Sequence, residues 1–324
     1  MKPTIAIIEG GYSHEKVISL KSATTVYKNI DSAKYLPIKV SIDEKGWFAF
    51  VDGNKTPVNR DDFSVTVNNK KIKFDFAFIV IHGTPGEDGK LQAYFDMLAI
   101  PYSTCNHLAA TLTFNKYVCN QFLKSLGITV ANAVLVRKKE VIHPEEIINN
   151  VGLPCFVKPA DGGSSFGVSK VKTTAELLPA IEKAHQHGTE VLIESFMKGR
   201  EVTNGVYLSA NGIKVLPITE IITQNEFFDF DAKYLGESEE ITPADLTSEM
   251  TNKIKTITKK VYQVLGLKGM CRVDYIIVGN QPHVIEINTV PGLSEQSLIP
   301  QMAAHEGISL INLFNEVIEV ALKK

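Results

Sequence analysis

The first hundred residues alternate apolar runs with stretches of helical periodicity. Residues 4–11 and 74–83 each contain an apolar run followed by glycine, which is typical of buried parallel strands that end in tight turns. Ser13 is a candidate N-cap for a helix that follows the first strand. The spacing that predicts this helix is that of Val17, Leu20, Thr24 and Tyr27. The alternation of strands and helices predicts an α/β unit.

Turn signals and a change of pattern divide the rest of the chain. Asp52-Gly53 and Asn68-Asn69 predict two hairpins that decorate the first unit. Further along, helices mix with short strands around a glycine-serine loop, and a strand-rich block with a terminal hairpin follows. We therefore predict an α/β and α+β protein with three domains: a parallel-sheet N-terminal domain over 1–104, a small central domain over 105–194, and a C-terminal domain over 195–324.

The composition narrows the class of protein. A length of 324 residues favours two or three domains. Hydrophobic residues at 44% and charged residues at 22% predict an ordinary soluble globular protein, and a formal net charge of -2 argues against a nucleic-acid partner. The apolar start is too short for a signal sequence, and no run approaches the roughly 18 apolar residues of a membrane helix. Four scattered cysteines give no support to a zinc site and fit a reducing cytosol.

Four chemically active side chains interrupt the apolar residues of the predicted terminal hairpin. Because strand side chains alternate between faces, Arg272 and Asp274 share one face of their strand, and Glu286 and Asn288 share one face of theirs. A three-residue loop over 279–281 would place Asp274 opposite Glu286 and Arg272 opposite Asn288. The pattern therefore predicts that all four side chains converge.

The chemistry of this set favours a metal site. Aspartate, glutamate and asparagine offer oxygen ligands only, which hard cations such as Mg²⁺ prefer, with phosphates and waters completing the shell. The alternative is a solvated outer face that carries an Arg–Asp pair. The residues that flank Asp274 and Glu286 are nearly all apolar, and this favours the metal.

A phosphate ligand would need a cradle, and residues 161–170 ("DGGSSFGVSK") offer one. The segment is not a Walker A loop, because Val168 stands where that motif needs lysine and 168–171 is predicted as strand. A plain hairpin turn is the alternative. Lys158, on the preceding predicted strand, favours phosphate binding. The first strand lacks G-x-G-x-x-G, which argues against a dinucleotide-binding Rossmann fold.

Seven segments, in order along the whole chain, resemble the D-alanine–D-alanine ligase family of ATP-grasp enzymes. They are "GGYSHEKVISLKS", "HGTPGEDGKLQ", "FVKPADGGSSFGVSK", "EVLIESFMKGREVT", "FDFDAKYL", "CRVD" and "IEINTVPGLSEQSLIP". The resemblance implies a three-domain ATP-grasp fold and the ATP-dependent ligation of two D-alanines through a D-alanyl phosphate. It also implies a cytoplasmic role in peptidoglycan precursor synthesis, no membrane association and a homodimer.

The resemblance implies a nucleotide and metal site between the second and third domains. Residues that would contact phosphates are Lys116, Lys158, Ser164, Ser165 and Lys233. Those at adenine and ribose would be Glu194 and Glu201, with the backbone of Phe196 and Met197 as a hinge. Two Mg²⁺ ions, for which Mn²⁺ can substitute, would be held by Asp274, Asn288 and a bridging Glu286. Ser195 departs from the family, which often has a long polar residue beside the adenine glutamate.

The resemblance implies substrate residues as well, and each has a structural alternative. Glu15 would pair with the ammonium of the first D-alanine, or serve as a helix-dipole carboxylate. His82 would lie near the first carboxylate, or be purely structural. Ser297 and the N–H of Leu298 would take the second carboxylate, although Ser297 could simply be an N-cap.

The resemblance also implies catalytic groups and a lid. Arg272 and the backbone N–H of Gly292 suit an oxyanion at the tetrahedral centre. The irregular loop over 223–243 is predicted to be an omega-type lid. Through it, the hydroxyl of Tyr234 would join Glu15 and Ser164 in a network. Tyr234 also argues against the closest rival, a D-alanine–D-lactate ligase. The intact set of charged residues argues against a non-catalytic binding protein on this fold.

Overall fold

The computed structural model describes residues 2–162, 167–223 and 238–323. Ser164, Ser165, Lys233 and Tyr234 lie outside the described residues, as does most of the predicted lid. Within them, the chain forms three larger sheets and one two-stranded sheet. These elements confirm the predicted mixture of α/β and α+β organisation.

The N-terminal sheet has the strand order β4-β3-β2-β1-β7, with β1 parallel to both β2 and β7. Its strands are β1 (Thr4–Gly10), β2 (Leu36–Asp43), β3 (Gly46–Val51), β4 (Asn54–Pro57) and β7 (Phe76–Ile79), while β5 (Ser64–Val67) pairs with β6 (Lys70–Lys73). The helices of this region are α1 (Lys16–Asn29) and α2 (Lys90–Met97). Both predicted hairpins form, and all four of their turn residues have positive φ.

The first helix buries a different face from the predicted one. α1 begins at Lys16 with Glu15 at the N-cap position, so Ser13 was the wrong N-cap. The apolar residues that predicted the helix point largely to solvent: Val17, Leu20 and Tyr27 are 59%, 38% and 46% exposed. The buried face is made of Ser19, Ser22, Ala23, Thr25 and Val26.

Specific hydrogen bonds explain why small polar residues are buried in α1. The Gly10 N–H donates to Ser19 Oγ at 2.9 Å, and the Leu293 N–H donates to Ser22 Oγ at 3.1 Å. Gly10 is the last residue of β1, and Leu293 lies in a loop near the other end of the chain. A buried N–H group without a partner would destabilise the fold, so these two bonds explain why serines occupy the buried face. The amphipathic pattern of this helix is therefore determined by distant backbone groups.

The central region contains a four-stranded antiparallel sheet in the order β10-β9-β11-β8. Its strands are β8 (Ala133–Arg137), β9 (Cys155–Pro159), β10 (Ser169–Val171) and β11 (Glu190–Ser195). Helices α5 (Pro144–Val151) and α6 (Leu177–Ala184) cover one face and share a core with Val157 and Val191. The other face carries Phe156, Lys158 and Glu194, because their neighbours in the strands point into that core.

The C-terminal sheet is antiparallel, in the order β14-β13-β12-β15-β16. Its strands are β12 (Arg200–Ser209), β13 (Gly212–Thr223), β14 (Ser238–Ile241), β15 (Met270–Val278) and β16 (Gln281–Asn288). The remaining helices are α3 (His107–Phe114), α4 (Lys116–Ser125), α7 (Ser248–Val264), α8 (Leu298–His305) and α9 (Leu310–Leu322). None of the described helices is both long and apolar enough to cross a membrane.

The N-terminal and C-terminal sheets share one hydrophobic core. Phe314 and Val317 of α9 are buried in the same cluster as Ile7 and Phe78 of the first sheet and Tyr207 of the third. The rings of Phe78 and Phe314 meet edge to face, with centroids 5.4 Å apart. Helices α3, α4 and α7 pack in a second cluster with β12 and β15. The domain boundaries at 104 and 194 stay a prediction.

Truncating Phe314 should loosen both sheets together. Phe314→Ala leaves a cavity where the first and third sheets meet, and we expect the free energy of unfolding to fall by about 3–5 kcal/mol. Urea denaturation monitored by circular dichroism measures this. Ile311→Ala is the control, because Ile311 lies on the same helix but is 43% exposed, and it should cost below about 1 kcal/mol. Equal losses in the two variants would contradict a shared core centred on Phe314.

Candidate active site

The terminal hairpin brings the four singled-out side chains together. In the register of β15 and β16, Arg272 pairs with Asn288 and Asp274 pairs with Glu286. All four side chains therefore lie on the face that points away from the core residues Val273 and Tyr275. The predicted pairing is confirmed.

The predicted length of the loop that joins the two strands is wrong. The turn has two residues rather than three, because Val278 pairs directly with Gln281. A turn of that length alone would set Asp274 opposite Ile285. The register shifts between Asp274 and Tyr275, so that Ile285 becomes an extra residue in β16 and Glu286 moves opposite Asp274. The convergence of the two carboxylates results from this bulge.

Asp274 is the most heavily bonded member of the set. The Arg272 guanidinium donates from Nε to Asp274 Oδ1 and from Nη2 to Oδ2, both at 2.8 Å. Thr203 Oγ1 donates to Oδ1 at 2.5 Å, and Asn288 Nδ2 donates to Oδ2 at 3.0 Å. The aspartate is 7% exposed, and three partners fix its orientation. Thr203, in β12, was missed by the sequence analysis.

The donor set fits a hard divalent cation. It consists of two carboxylates and one amide, and the described residues contain no cluster of three histidine, cysteine, aspartate or glutamate side chains that could hold a metal. The nitrogen of Asn288 is engaged by Asp274, so its oxygen is the atom left for a ligand role. Oxygen-only ligands in this number suit Mg²⁺ or Mn²⁺, whose shells are completed by phosphate oxygens and water.

One of the two predicted phosphate lysines among the described residues touches this set, and the other lies on the central sheet. Lys116 is the first residue of α4, and its Nζ donates to the carbonyl of Gly162 at 2.6 Å while lying 3.5 Å from Glu286 Oε2. It therefore joins the start of the glycine-serine loop to the carboxylate pair. Lys158 donates to Glu194 Oε1 at 2.5 Å across the open face of the central sheet. The predicted phosphate contacts of this loop lie outside the described residues.

The predicted adenine residues run from the central sheet to the first strand of the C-terminal sheet, with Glu194 in β11 and Glu201 in β12. The rings of Phe156 and Phe196 are 5.8 Å apart, and Lys170 Nζ lies 4.4 Å from the centroid of Phe196. Met197 follows in the connection to β12, where Glu201 lies. The departure at Ser195 has a local explanation, because its hydroxyl donates to the carbonyl of Val151 at 2.8 Å. It is thus a packing residue of the central domain.

The opposite wall of the cleft is built from the N-terminal domain. Glu15 occupies the N-cap position of α1, and His82 follows β7. Burial lowers the pKa of His82, although the Glu15 carboxylate and a hydrogen bond with the Val290 backbone act in the opposite direction. The Nε2 atom of His82 is buried and has no hydrogen-bond partner among the described residues. The neutral imidazole thus keeps one nitrogen for another ligand.

The end of the cleft is closed by the start of α8. Ser297 is its N-cap residue but makes no capping hydrogen bond with its side chain; its hydroxyl lies 2.7 Å from that of Ser294. A Cβ on Gly292 would lie 2.8 Å from Ser297 Oγ, so the close approach of these two segments requires glycine. The interpretation of Ser297 as a simple side-chain cap is wrong, and the N–H of Leu298 stays at an uncapped helix start.

One cavity of about 1300 Å³ unites most of these groups. Its lining includes the predicted Glu15, His82, Lys116, Arg272, Glu286, Asn288, Gly292, Ser297 and Leu298. The predicted adenine-side residues Glu194, Phe196, Met197 and Glu201 are not part of this lining. Asp274 lies behind Arg272 and reaches the cavity through its partners.

Glu87 also lines this cavity and was missed by the sequence analysis. It accepts the Gly83 N–H at 2.7 Å through Oε2 and the Val290 N–H at 3.3 Å through Oε1. Burial, and then the negative charge of Glu15, raise the pKa of Glu87 to about 8. The only signal in the sequence was its place in "HGTPGEDGKLQ".

Comparison with known proteins identifies relatives over nearly the whole chain. The family model for the D-ala D-ala ligase N-terminus matches residues 4–105, and that for the D-ala D-ala ligase C-terminus matches residues 122–319. The D-alanine--D-alanine ligase of Phocaeicola vulgatus is 50% identical over 321 residues, which cover 98% of this chain and 99% of that protein. The enzyme of the same name from Flavobacterium johnsoniae is 50% identical over 320 residues, covering 98% and 99%.

Solved structures share the fold at lower identity. The VanG D-Ala:D-Ser ligase of Enterococcus faecalis superposes with a TM-score of 0.90 at 32% identity, covering 99% of this chain and 100% of that one. The Bacillus anthracis D-alanine--D-alanine ligase complexed with ATP superposes with a TM-score of 0.81 at 28% identity, covering 99% and 98%. These similarities extend across all three sheets.

Thr203 should control cation binding through Asp274. Thr203→Val keeps the shape but removes the hydroxyl that donates to Oδ1, so the carboxylate loses one of its three constraints. We expect the affinity for Mn²⁺, measured by electron paramagnetic resonance of the free ion, to fall roughly 10- to 100-fold. Thr219→Val is the matched control, since Thr219 is equally buried in the neighbouring strand and bonds Thr242 instead. Parallel losses in both variants would contradict a role through Asp274.

Proposed function

Because the chain belongs to the D-alanine–D-alanine ligase family, we propose that it joins two D-alanines into D-alanyl-D-alanine with ATP, for peptidoglycan precursor synthesis. The observation that carries this proposal is the in-register meeting of Arg272, Asp274, Glu286 and Asn288 beside Lys116. These groups face a wall that carries Glu15 and His82. One side of the cleft is thus suited to polyphosphate, and the other to an amino acid.

The reaction has two chemical steps. First, a carboxylate oxygen of one D-alanine bonds to the γ-phosphorus of ATP while the bond to ADP breaks, which gives D-alanyl phosphate. Second, the deprotonated amine of the other D-alanine bonds to the carbonyl carbon, and the carbon–oxygen bond to phosphate breaks. The products are the dipeptide, ADP, inorganic phosphate and one proton. Phosphorylation is needed because an oxide ion is too poor a leaving group.

In this proposal, one set of side chains binds the nucleotide and offsets the negative charge of its phosphates. Lys116 and Lys158 donate to phosphate oxygens, as do Ser164, Ser165 and Lys233 outside the described residues. Asp274, Glu286 and Asn288 hold two Mg²⁺ ions, or Mn²⁺, which offset charge on the transferred phosphoryl group when bound. Glu194 and Glu201 bind adenine and ribose, with Phe196 and Met197 as the hinge. The oxygen-only donor set and the lysine that touches it support this assignment.

The other groups orient the two amino acids. Glu15 accepts the ammonium of the first D-alanine, and the buried Nε2 of His82 lies near its carboxylate. Arg272 and the Gly292 N–H stabilise the oxyanion of the tetrahedral centre. Ser297 and the Leu298 N–H bind the second carboxylate, which the uncapped start of α8 supports. Tyr234, in the lid, joins Glu15 and Ser164.

One observation favours an alternative for the second substrate, the acceptor of the D-alanyl group. The similarity to a D-Ala:D-Ser ligase shows that this fold is compatible with another acceptor, and a D-lactate acceptor is the rival that Tyr234 argues against. We propose D-alanine because the relatives at 50% identity carry that name. We further propose a cytoplasmic homodimer; sedimentation equilibrium of the purified chain would test the dimer.

Glu286→Gln tests the function and the site together. Wild-type protein with ATP, Mg²⁺ and D-alanine should release phosphate and form D-alanyl-D-alanine, and D-alanine should outcompete D-serine and D-lactate as acceptor in product analysis by mass spectrometry. E286Q removes one charge at constant size. We expect its turnover to fall at least about 100-fold, because charge compensation at the phosphoryl group weakens.

The control for this experiment is a second lysine–glutamate pair. Glu316→Gln removes the same charge from the pair that Glu316 forms with Lys214 at 2.9 Å, away from the cleft. E316Q should turn over at the wild-type rate. Near-normal dipeptide synthesis by E286Q would contradict the proposed metal role, whereas a wild-type protein that makes no dipeptide would contradict the function itself.

We also propose that the central domain closes over the nucleotide. The sheet of β8 to β11 has its own core with α5 and α6, and its open face carries Lys158 and Glu194. Closure would keep water from the acyl phosphate. Hydrogen exchange with a non-hydrolysable ATP analogue should slow in β9 and β10 by about tenfold or more. Exchange unchanged by the analogue would argue against closure; α9, in the shared core, serves as the internal reference.

A further inference from the structure

Glu87 lines the cleft but has no part in the proposed chemistry. Glu87 lies between β7 and α2, and both of its carboxyl oxygens accept backbone N–H groups. The Gly83 N–H belongs to the loop that begins with His82. The Val290 N–H belongs to the loop that follows β16, 203 residues away in the chain. A single side chain therefore connects two loops from opposite ends of the sequence.

Glu87 is itself held firmly. Its own N–H donates to the Gly83 carbonyl at 2.8 Å, while its Oε2 accepts the Gly83 N–H, so the two residues exchange a pair of hydrogen bonds. The neighbouring Gly86 is packed so tightly that a Cβ there would lie 2.1 Å from the carbonyl oxygen of Ile81. The backbone that carries Glu87 thus has little freedom. Its second oxygen is a fixed acceptor for Val290.

Both connected loops carry groups of the amino-acid subsites. The first presents His82, and the second runs from Asn288 to Gly292. The His82 ring also hydrogen-bonds the Val290 backbone, so this residue is bound from two sides. A displacement of the second loop would move the Gly292 N–H relative to His82. No residue of the adenine edge takes part in these contacts.

We propose that Glu87 is a positioning residue that fixes the His82 loop against the loop from Asn288 to Gly292, and so aligns the two walls of the D-alanine cleft. This inference rests on the proposed function, because it takes the two walls to be the amino-acid subsites. Glu87 touches neither amino acid; it acts through the two backbone amides. Only the ionised carboxylate, which predominates above the raised pKa of about 8, offers both oxygens as acceptors. Glutamine has one acceptor oxygen, and its amide nitrogen would face an N–H donor.

Glu87→Gln separates positioning from general stability. The amide oxygen should keep the shorter bond to Gly83, and the bond to Val290 should be lost. In assays above the Glu87 pKa of about 8, where the carboxylate is ionised, we expect kcat/KM for D-alanine to fall roughly 10- to 100-fold, as for loss of a hydrogen bond to a charged group. The KM for ATP should stay within about twofold. Exchange of the backbone amides over 289–292 should also quicken about tenfold or more.

The control is a glutamate with the same local geometry. Glu176 Oε2 accepts the Lys172 N–H at 2.7 Å, four residues away, as Glu87 does with Gly83, but Glu176 is exposed in the central domain. Glu176→Gln should leave kcat/KM for D-alanine and exchange over 289–292 unchanged. Glu87→Asp is the second variant, in case E87Q folds poorly. It keeps the charge but is one methylene shorter, so it should lose the same Val290 bond and show the same pattern.

Two outcomes would overturn the role of Glu87. One is E87Q with wild-type kcat/KM for D-alanine. The other is a loss that affects D-alanine and ATP equally and scales with the folded fraction in thermal unfolding, which would indicate a structural residue only. Hydrogen exchange measures the link between the two loops directly, so this part of the test does not depend on the proposed function. If the wild-type protein makes no dipeptide, unchanged exchange over 289–292 in E87Q would still refute the link, and faster exchange would support it.

Discussion

One extra residue in β16 determines whether this chain can build its charged cleft. The two-residue turn at Gly279 and Asn280 fixes the start of the hairpin register, and that register alone would place Ile285 opposite Asp274. Glu286 would then point toward the core. The bulge at Ile285 changes the phase of alternation, so that Val284 and Ile287 are both buried although an odd number of positions separates them. The meeting of Glu286 with Asp274 and the contact between Lys116 and Glu286 both follow from that change.

The loop after this strand is held mainly by the other end of the chain. Ser22 of α1 accepts the Leu293 N–H, and Glu87 accepts the Val290 N–H. The shared core around Phe314 keeps α1 and the third sheet at a fixed distance, so these two bonds can form without strain. The proposed amino-acid subsites therefore lie where two sheets meet. Their geometry depends on packing far from the reacting atoms, as is usual where preorganised groups act on developing charge.

The local features of the fold could be predicted, and the tertiary ones could not. Asp52-Gly53 and Asn68-Asn69 were sufficient for the hairpins because positive φ is a property of the turn itself. The buried face of α1 was missed because Ser19 and Ser22 accept N–H groups from outside the helix, at the end of β1 and in the loop that contains Leu293. Thr203 and Glu87 were not predicted for the same reason. The role of each depends on which strand or loop lies beside it in the fold. Asp274 and Glu286 were found because charged residues within apolar strands are rare enough to stand out, yet the bulge that unites them was visible only as an apolar Val284 out of phase.

The charged groups proposed to bind the nucleotide are also paired with one another. Three predicted site residues with positive side chains lie within the described residues, and each forms an ion pair with a carboxylate. Lys116 pairs with Glu286, Lys158 with Glu194 and Arg272 with Asp274. These side chains are mostly buried, so a lone charge among them would be costly, whereas a paired one is tolerated. A polyphosphate with its divalent cations brings both signs of charge. If such a ligand binds as proposed, the lysines would turn to phosphate oxygens and the carboxylates to the cations, so that each charge gains a new partner. Paired charges of this kind favour a ligand that carries metal and phosphate together over either one alone, because a partial ligand would leave one partner of each pair buried and unmatched.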